Sequence, residues 1–274
     1  MELTLAHSPD ADDAFMFSAL ALGKLEICGY SFKHVLQDIE TLNRAALEGV
    51  YDVSAISFHA YPYVAKNYLL LSCGASVGDG YGPLVVVPAD APDEKVPAAV
   101  AVPGEMTTAY LALKLWRPSV KTKVLPFDQI AGAVINGQVE GGLIIHEGQI
   151  TYPQEGLKKI IDLGAWWKEE TGLPLPLGGN VLHRRHENRA AEIDGLLRQA
   201  IGWALAHRDE ALSHALSYAR GLGKEDADRF VGMYVNAWTL DLGEQGRRAV
   251  DELLSRGHRA GIIGQKPALK WTAC

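Results

Sequence analysis

The chain opens on a short apolar run, residues 2–7 (ELTLAH), which breaks at Ser8-Pro9 and passes Asp10, Asp12 and Asp13 into the apolar-periodic AFMFSALALGKL. That order predicts a strand, a loop and a helix. Asp12 or Asp13 caps the helix and suits its positive end, and Gly23 supplies a stop. SFKHVLQ, DIETLNRAALEG and YDVSAIS then read as strand, helix and strand. Alternating βαβ units of this kind predict an α/β fold with mostly parallel sheets.

The same passage returns further on. Setting LNRAALEGVYDVSAISFHA against IAGAVINGQVEGGLIIHEG aligns Gly49 with Gly137, Asp52 with Glu140 and Phe58 with His146. Both run helix, glycine stop, acidic residue, apolar strand and polar loop, so the chain reads as two related lobes. Between them PADAPDEKVPAA, rich in Pro, Ala and charge, looks like the crossing. The expected division is a larger lobe of residues 1–90 plus 178–274 and a smaller lobe of residues 91–177. Pro174, Pro176 and the Gly178-Gly179 pair suit a hinge strand on the return. From Glu187 onward the pattern is helical, and these helices are expected to pack back on the first lobe.

Composition narrows the class. A chain of 274 residues suits two lobes, and 48% hydrophobic with 22% charged residues describes a chain that folds throughout. The net charge of −7, with no dense Lys/Arg stripe, excludes nucleic acid as a partner. No run reaches the roughly 18 apolar residues of a membrane span, and the first residues carry neither a basic segment nor a continuous apolar one for export. Cys28, Cys73 and Cys274 are an odd set without C-x-x-C spacing, which fits a reducing compartment; a cytoplasmic location is expected.

Candidate chemistry follows the strand ends, because loops after parallel strands are where ligands bind. His146 directly follows GGLII, and an imidazole with an unperturbed pKa of about 6.5 suits proton transfer near neutrality. The alternative is a histidine that only packs. At Pro103-Gly104 a strand turns into a helix with Thr107 and Thr108 at its start, so hydroxyls, free N–H groups and the positive helix end form a carboxylate-sized anion site. One threonine could equally serve only as an N-cap. Ala55, Ile56 and Ser57 end the strand that matches the one before His146. Ser8 and Asp13 of the first loop face the same crevice, with a helix cap as the other reading of Asp13.

Other constellations fail on spacing. H-E-x-x-H, Walker A and G-x-S-x-G are absent, and G-D-G-Y-G lacks the strand–turn–helix context of a dinucleotide site. No metal site is expected. His183 and His186, among Arg184, Arg185 and Arg189, read as a solvated basic patch. Trp166 and Trp167 read as core, with one of them able to wall a flat ring.

Taken together, I-I-H-E at 144–147, P-G-x-x-T-T-A-Y at 103–110 and D-L-G-A-W-W-K-E-E-T-G-L-P-L-P-L-G at 162–178 resemble the 1,4-dihydroxy-6-naphthoate synthases. V-L-Q-D-I-E-T-L-N-R-A-A-L-E-G, Y-G-P-L-V-V and Y-V-N-A-W-T-L-D-L-G extend the resemblance along nearly the whole chain. It implies the two-lobed, periplasmic-binding-protein-like (type II) fold with a ligand cleft between the lobes. It also implies a lyase of the futalosine route to menaquinone that splits cyclic dehypoxanthinylfutalosine into 1,4-dihydroxy-6-naphthoate and dihydroxyacetone without a cofactor.

By the same resemblance His146 is the general base, Thr107 and Thr108 hold the substrate carboxylate, and Ala55 to Ser57 contact the remainder. The first loop departs from the family: S-P-D-A-D-D stands where S-P-C-P-N-D is common, so Asp10 replaces a thiol while Ser8, Pro9 and Asp13 match. The sister enzyme chorismate dehydratase and a non-catalytic organic-acid binding protein are the competing readings. In each case the partner is a small carboxylate; a homodimer is admitted but derives from no residue pattern.

Overall fold

The computed structural model describes residues 1–27, 29–92, 96–219 and 221–272. Cys28, Cys274 and residues 93–95 of the expected crossing lie outside the described residues. The strands are β1 (Glu2–His7), β2 (Ser31–Leu36), β3 (Val53–Ser57), β4 (Tyr68–Leu70), β5 (Ser76–Gly78), β6 (Leu84–Pro88), β7 (Ala99–Val102), β8 (Lys121–Val124), β9 (Gly141–Ile144), β10 (Leu157–Asp162) and β11 (Leu175–His183). One sheet has the order β2-β1-β3-β11-β4 with β5 also on β11, and the other has the order β10-β6-β9-β7-β8.

Each sheet contains a parallel triplet, β2-β1-β3 and β8-β7-β9, where the βαβ alternation predicts one. The remaining strands, which carry the chain between the sheets or edge them, pair antiparallel. The internal match is visible in detail. Gly49 and Gly137 end the helices Ile39–Leu47 and Ile130–Ile135 with φ of 68° and 66°, in the left-handed region that favours glycine. Asp52 and Glu140 then occupy equivalent places, accepting backbone N–H groups of Thr4 at 2.8 Å and Ala98 at 3.1 Å.

The crossing points differ from the expected ones. β6 belongs to the second sheet, between β9 and β10, so the chain leaves the first sheet through residues 79–83 rather than at 90–91. It returns at residues 172–174, ahead of β11. A continuous apolar run such as Leu-Val-Val-Val suits a buried strand of either sheet, so its sequence does not assign it. Gly178 and Gly179 lie inside β11, paired with Ser57 and Ile56. Their lack of side chains serves close approach, since a Cβ on Gly179 would stand 2.8 Å from the Phe58 ring.

One core joins Leu3, Leu5 and Phe15 of the first lobe to helices Ala190–Ala206, Arg208–Ala215 and Lys224–Tyr234, as the helical pattern from Glu187 onward predicts. A second core crosses between the sheets, combining Ile56, Tyr68 and Val77 with Val85, Val100 and Leu143. The last helix, Gly243–Arg259, buries Gly246, Ala249, Val250, Leu253, Leu254 and Gly257 along one stripe of this second core. Besides packing on the first lobe as expected, it presses on helix Thr108–Trp116 of the second. No helix among the described residues is long and apolar enough to cross a membrane.

Candidate functional site

The loops after β1, β3, β7 and β9 meet the middle of β11 around a cleft of about 780 Å³, including the part open to solvent. Ser8, Asp13, Ala55, Ile56, Ser57, Thr107, Thr108 and His146 all line it. Residues up to 138 positions apart in sequence are thus brought to one place, as loops at the ends of paired parallel strands dictate.

The first loop folds around Ser8. Its N–H donates to Asp13 Oδ2 at 2.7 Å and its hydroxyl donates to Asp10 Oδ2. Asp13 therefore lies within helix Ala11–Met16 and reaches back to the loop, and the N-cap position falls to Asp10. Burial pushes the Asp13 carboxyl up to about 7; the Ser8 N–H opposes the rise, Asp10 adds to it and His146 opposes it. Burial likewise lifts Asp12 well above the usual carboxylate range, helped by Asp13, Asp10 and Glu147.

Across the cleft, His146 Nδ1 stands 2.9 Å from Asp10 Oδ2. Its ring also packs against Phe127, with centroids 4.2 Å apart. Asp10, His146 and Glu147 are the group of described residues whose ligand atoms lie within 4.8 Å of one another, as an ion site would need. A transition-metal ion would have to sit about 2.0–2.2 Å from each. In the structure Asp10 Oδ2 accepts the Ser8 hydroxyl and faces His146 Nδ1 at direct hydrogen-bonding range.

The threonines divide their tasks. Thr107 is the N-cap of helix Thr108–Trp116: its hydroxyl accepts from Tyr110 N at 3.1 Å and donates to Gly104 O at 2.8 Å. That side chain is committed to the helix. Thr108 Oγ1 accepts the N–H of His59 at 3.2 Å, which leaves its proton for another acceptor. The N–H groups of Thr108 and Ala109 lie in the first helical turn, have no carbonyl one turn back within the helix, and belong to residues of the cleft wall. An anion there meets the positive helix end, worth about 0.3–1 kcal/mol when exposed and up to about 2 when partly buried.

Several participants were not singled out from sequence. Asn43, fully buried, accepts from Ser57 N at 2.8 Å and donates to Ser57 Oγ at 3.2 Å, fixing the strand end that presents Ser57. Gln149 accepts from the Tyr234 hydroxyl at 2.5 Å, and its Nε2 has no partner among the described residues. Asn180 donates to Gly74 O at 2.9 Å while its Oδ1 has none. A buried donor and a buried acceptor in one cleft are matched to a polar ligand, since such atoms are otherwise satisfied. Only Gln149 was reachable from sequence, as the third residue after His146.

The core reading of the tryptophans holds, and the basic-patch reading is corrected. Trp167 is fully buried, with its indole N–H on Pro174 O at 3.1 Å, and neither it nor Trp166 lines the cleft. His186 and Arg185 are not a solvated basic patch but converge on Asp52, at 2.7 and 2.8 Å. Burial opposes ionisation of Asp52, yet hydrogen bonds from Thr4, His186 and Arg185 outweigh it and hold the carboxyl at about 2. The carboxylate partner is 134 residues away in sequence, beyond any local pattern.

With this geometry in hand, residues 3–259 match a family profile described as menaquinone biosynthesis. The sequence is 42% identical over 268 residues to a 1,4-dihydroxy-6-naphthoate synthase of Thermus thermophilus, covering 97% of each chain. Among solved structures, a protein of Archaeoglobus fulgidus has a TM-score of 0.88 at 43% identity, covering 96% of this chain and 98% of that one. A Candida albicans protein described as having the generic periplasmic binding protein fold has a TM-score of 0.74 at 15% identity, covering 98% and 93%, a likeness of fold alone.

Proposed function

The chain belongs to the menaquinone biosynthesis family, and on that footing we propose that it is a 1,4-dihydroxy-6-naphthoate synthase acting as a carbon–carbon lyase. It would take cyclic dehypoxanthinylfutalosine and release 1,4-dihydroxy-6-naphthoate and dihydroxyacetone. The observation that carries this reading is His146, held at the cleft wall opposite a helix start suited to a carboxylate.

In this reading the substrate carboxylate sits at the N–H groups of Thr108 and Ala109 and the Thr108 hydroxyl. Ser57 Oγ, Asn180 Oδ1 and Gln149 Nε2 supply polar contacts to the rest of the molecule. His146 removes one proton, the electron pair moves through the breaking carbon–carbon bond, and the ring gains aromaticity while the three-carbon fragment leaves. The imidazolium then holds a proton for that fragment. No lysine or arginine among the described residues lines the cleft, so the carboxylate is met by dipoles and hydroxyls. The cleft walls fix the base against the substrate, which is where much of an enzyme's advantage arises. Its location would be the cytoplasm, in line with its sparse, unpatterned cysteines.

The test is product formation by wild type and by His146→Ala, with binding of 1,4-dihydroxy-6-naphthoate followed in parallel. Loss of a general base should lower kcat by about 10²–10⁴-fold while the product still binds. Tight binding without wild-type turnover would leave an organic-acid binding protein as the better reading.

A further inference from the structure

We infer that Asp10 is the positioning residue for His146, the two forming a base–orienter pair that joins the two lobes. For its catalytic consequence the inference rests on the lyase reading above; for its geometry it does not.

Asp10 occupies the N-cap of helix Ala11–Met16 with φ −102° and ψ 160°. In that conformation an aspartate normally accepts an N–H from the first turn of its own helix. Asp10 makes no such bond. Its Oδ2 accepts the Ser8 hydroxyl and stands 2.9 Å from His146 Nδ1. The side chain is thus turned away from the capping role its position offers and toward the imidazole.

The chemistry of this contact is directional. With Oδ2 acting as an acceptor, the imidazole nitrogen facing it carries the proton, and the basic lone pair falls on Nε2. A carboxylate on Nδ1 both selects that tautomer and stabilises the imidazolium formed when Nε2 takes a proton. The side chains are 5% and 13% exposed, so water competes weakly for either partner. Ser8 fixes Asp10 from one side, and Phe127 packs on the imidazole from another.

The two partners come from different lobes. Asp10 follows β1 in the first sheet and His146 follows β9 in the second. The contact therefore sets the tautomer of the base on one lobe from a carboxylate on the other.

Two measurements test this. Nitrogen-15 spectra of histidine-labelled wild-type protein, recorded with 1,4-dihydroxy-6-naphthoate bound, should show His146 protonated at Nδ1 and not at Nε2; the Nε2–H tautomer would overturn the inference. Asp10→Asn and Asp10→Ala should each lower kcat by about a hundredfold or more, with KM within about threefold, because the lost interaction acts on the transition state. Ser8→Ala, which leaves the carboxylate in place, should lose less than about tenfold. A kcat within about threefold of wild type in folded Asp10→Asn would also overturn it. If the Asp10 variants do not fold, the wild-type tautomer decides; if wild type turns over no substrate, the lyase reading fails and the tautomer still decides the pairing.

Discussion

Tyr234 and Gln149 are joined across the cleft, the phenol of one lobe donating to the amide oxygen of the other at 2.5 Å. Tyr234 is buried in the helix-rich core, and Gln149 lies three residues beyond His146. The bond fixes the amide so that its unpartnered Nε2 is a donor within the cleft wall. Tyr234→Phe frees the amide to turn. A neutral hydrogen bond of about 0.5–1.5 kcal/mol is then lost, and KM should rise about 2- to 10-fold with kcat little changed. Steady-state kinetics across a substrate series reads this directly.

Asn43 holds Ser57 from a position outside the cleft wall, through both its amide oxygen and its amide nitrogen. Asn43→Ala leaves the Ser57 N–H buried without that acceptor, a loss of about 1–3 kcal/mol. For a chain of this size that lowers Tm by roughly 2–4 °C per kcal/mol. Calorimetry should show the drop, and KM should rise as Ser57 loosens.

Asp13 gives a pH dependence of definite sign. Its folded pKa of about 7 lies above the ordinary aspartate value of 3.8, so the unfolded chain releases this proton first. The cost to folding accumulates as pH rises from about 4 to about 7 and is complete above that. Asp13→Asn keeps an oxygen for the Ser8 N–H and carries no charge. It should melt higher than wild type at pH 8 and lose that advantage by pH 4. An advantage that grows toward acid would contradict the assignment.

Much of this site was legible from the order of elements. The strand-end rule pointed to Ser57 and His146, and the turn from strand to helix pointed to Thr107 and Thr108; all four line one cleft. Local sequence did not separate the threonines: both start the same helix, and only three-dimensional partners reveal that Thr107 is used up by Tyr110 and Gly104 while Thr108 is not. Asp10 was the position where the chain departs from its family's common loop, and nothing nearby in sequence announces His146, 136 residues on. Asn43, Asn180 and Tyr234 were invisible for the same reason, since a polar residue on a helix or strand reads as surface until its buried partner is known. β6 was misplaced because an apolar strand states that it is buried but not in which sheet.

The core that crosses between the sheets has a further consequence for the molecule as a heritable unit. Val85, Val100 and Leu143 share it with Ile56, Tyr68 and the last helix, so neither lobe can cover its own apolar surface alone. A fragment cut at the two crossings would expose that surface and associate with itself before it folded. The two halves carry the marks of a duplicated βαβ plan, yet they are no longer separable modules. Their loops can diverge freely around the cleft, but the sheets beneath them must be made, folded and lost as one.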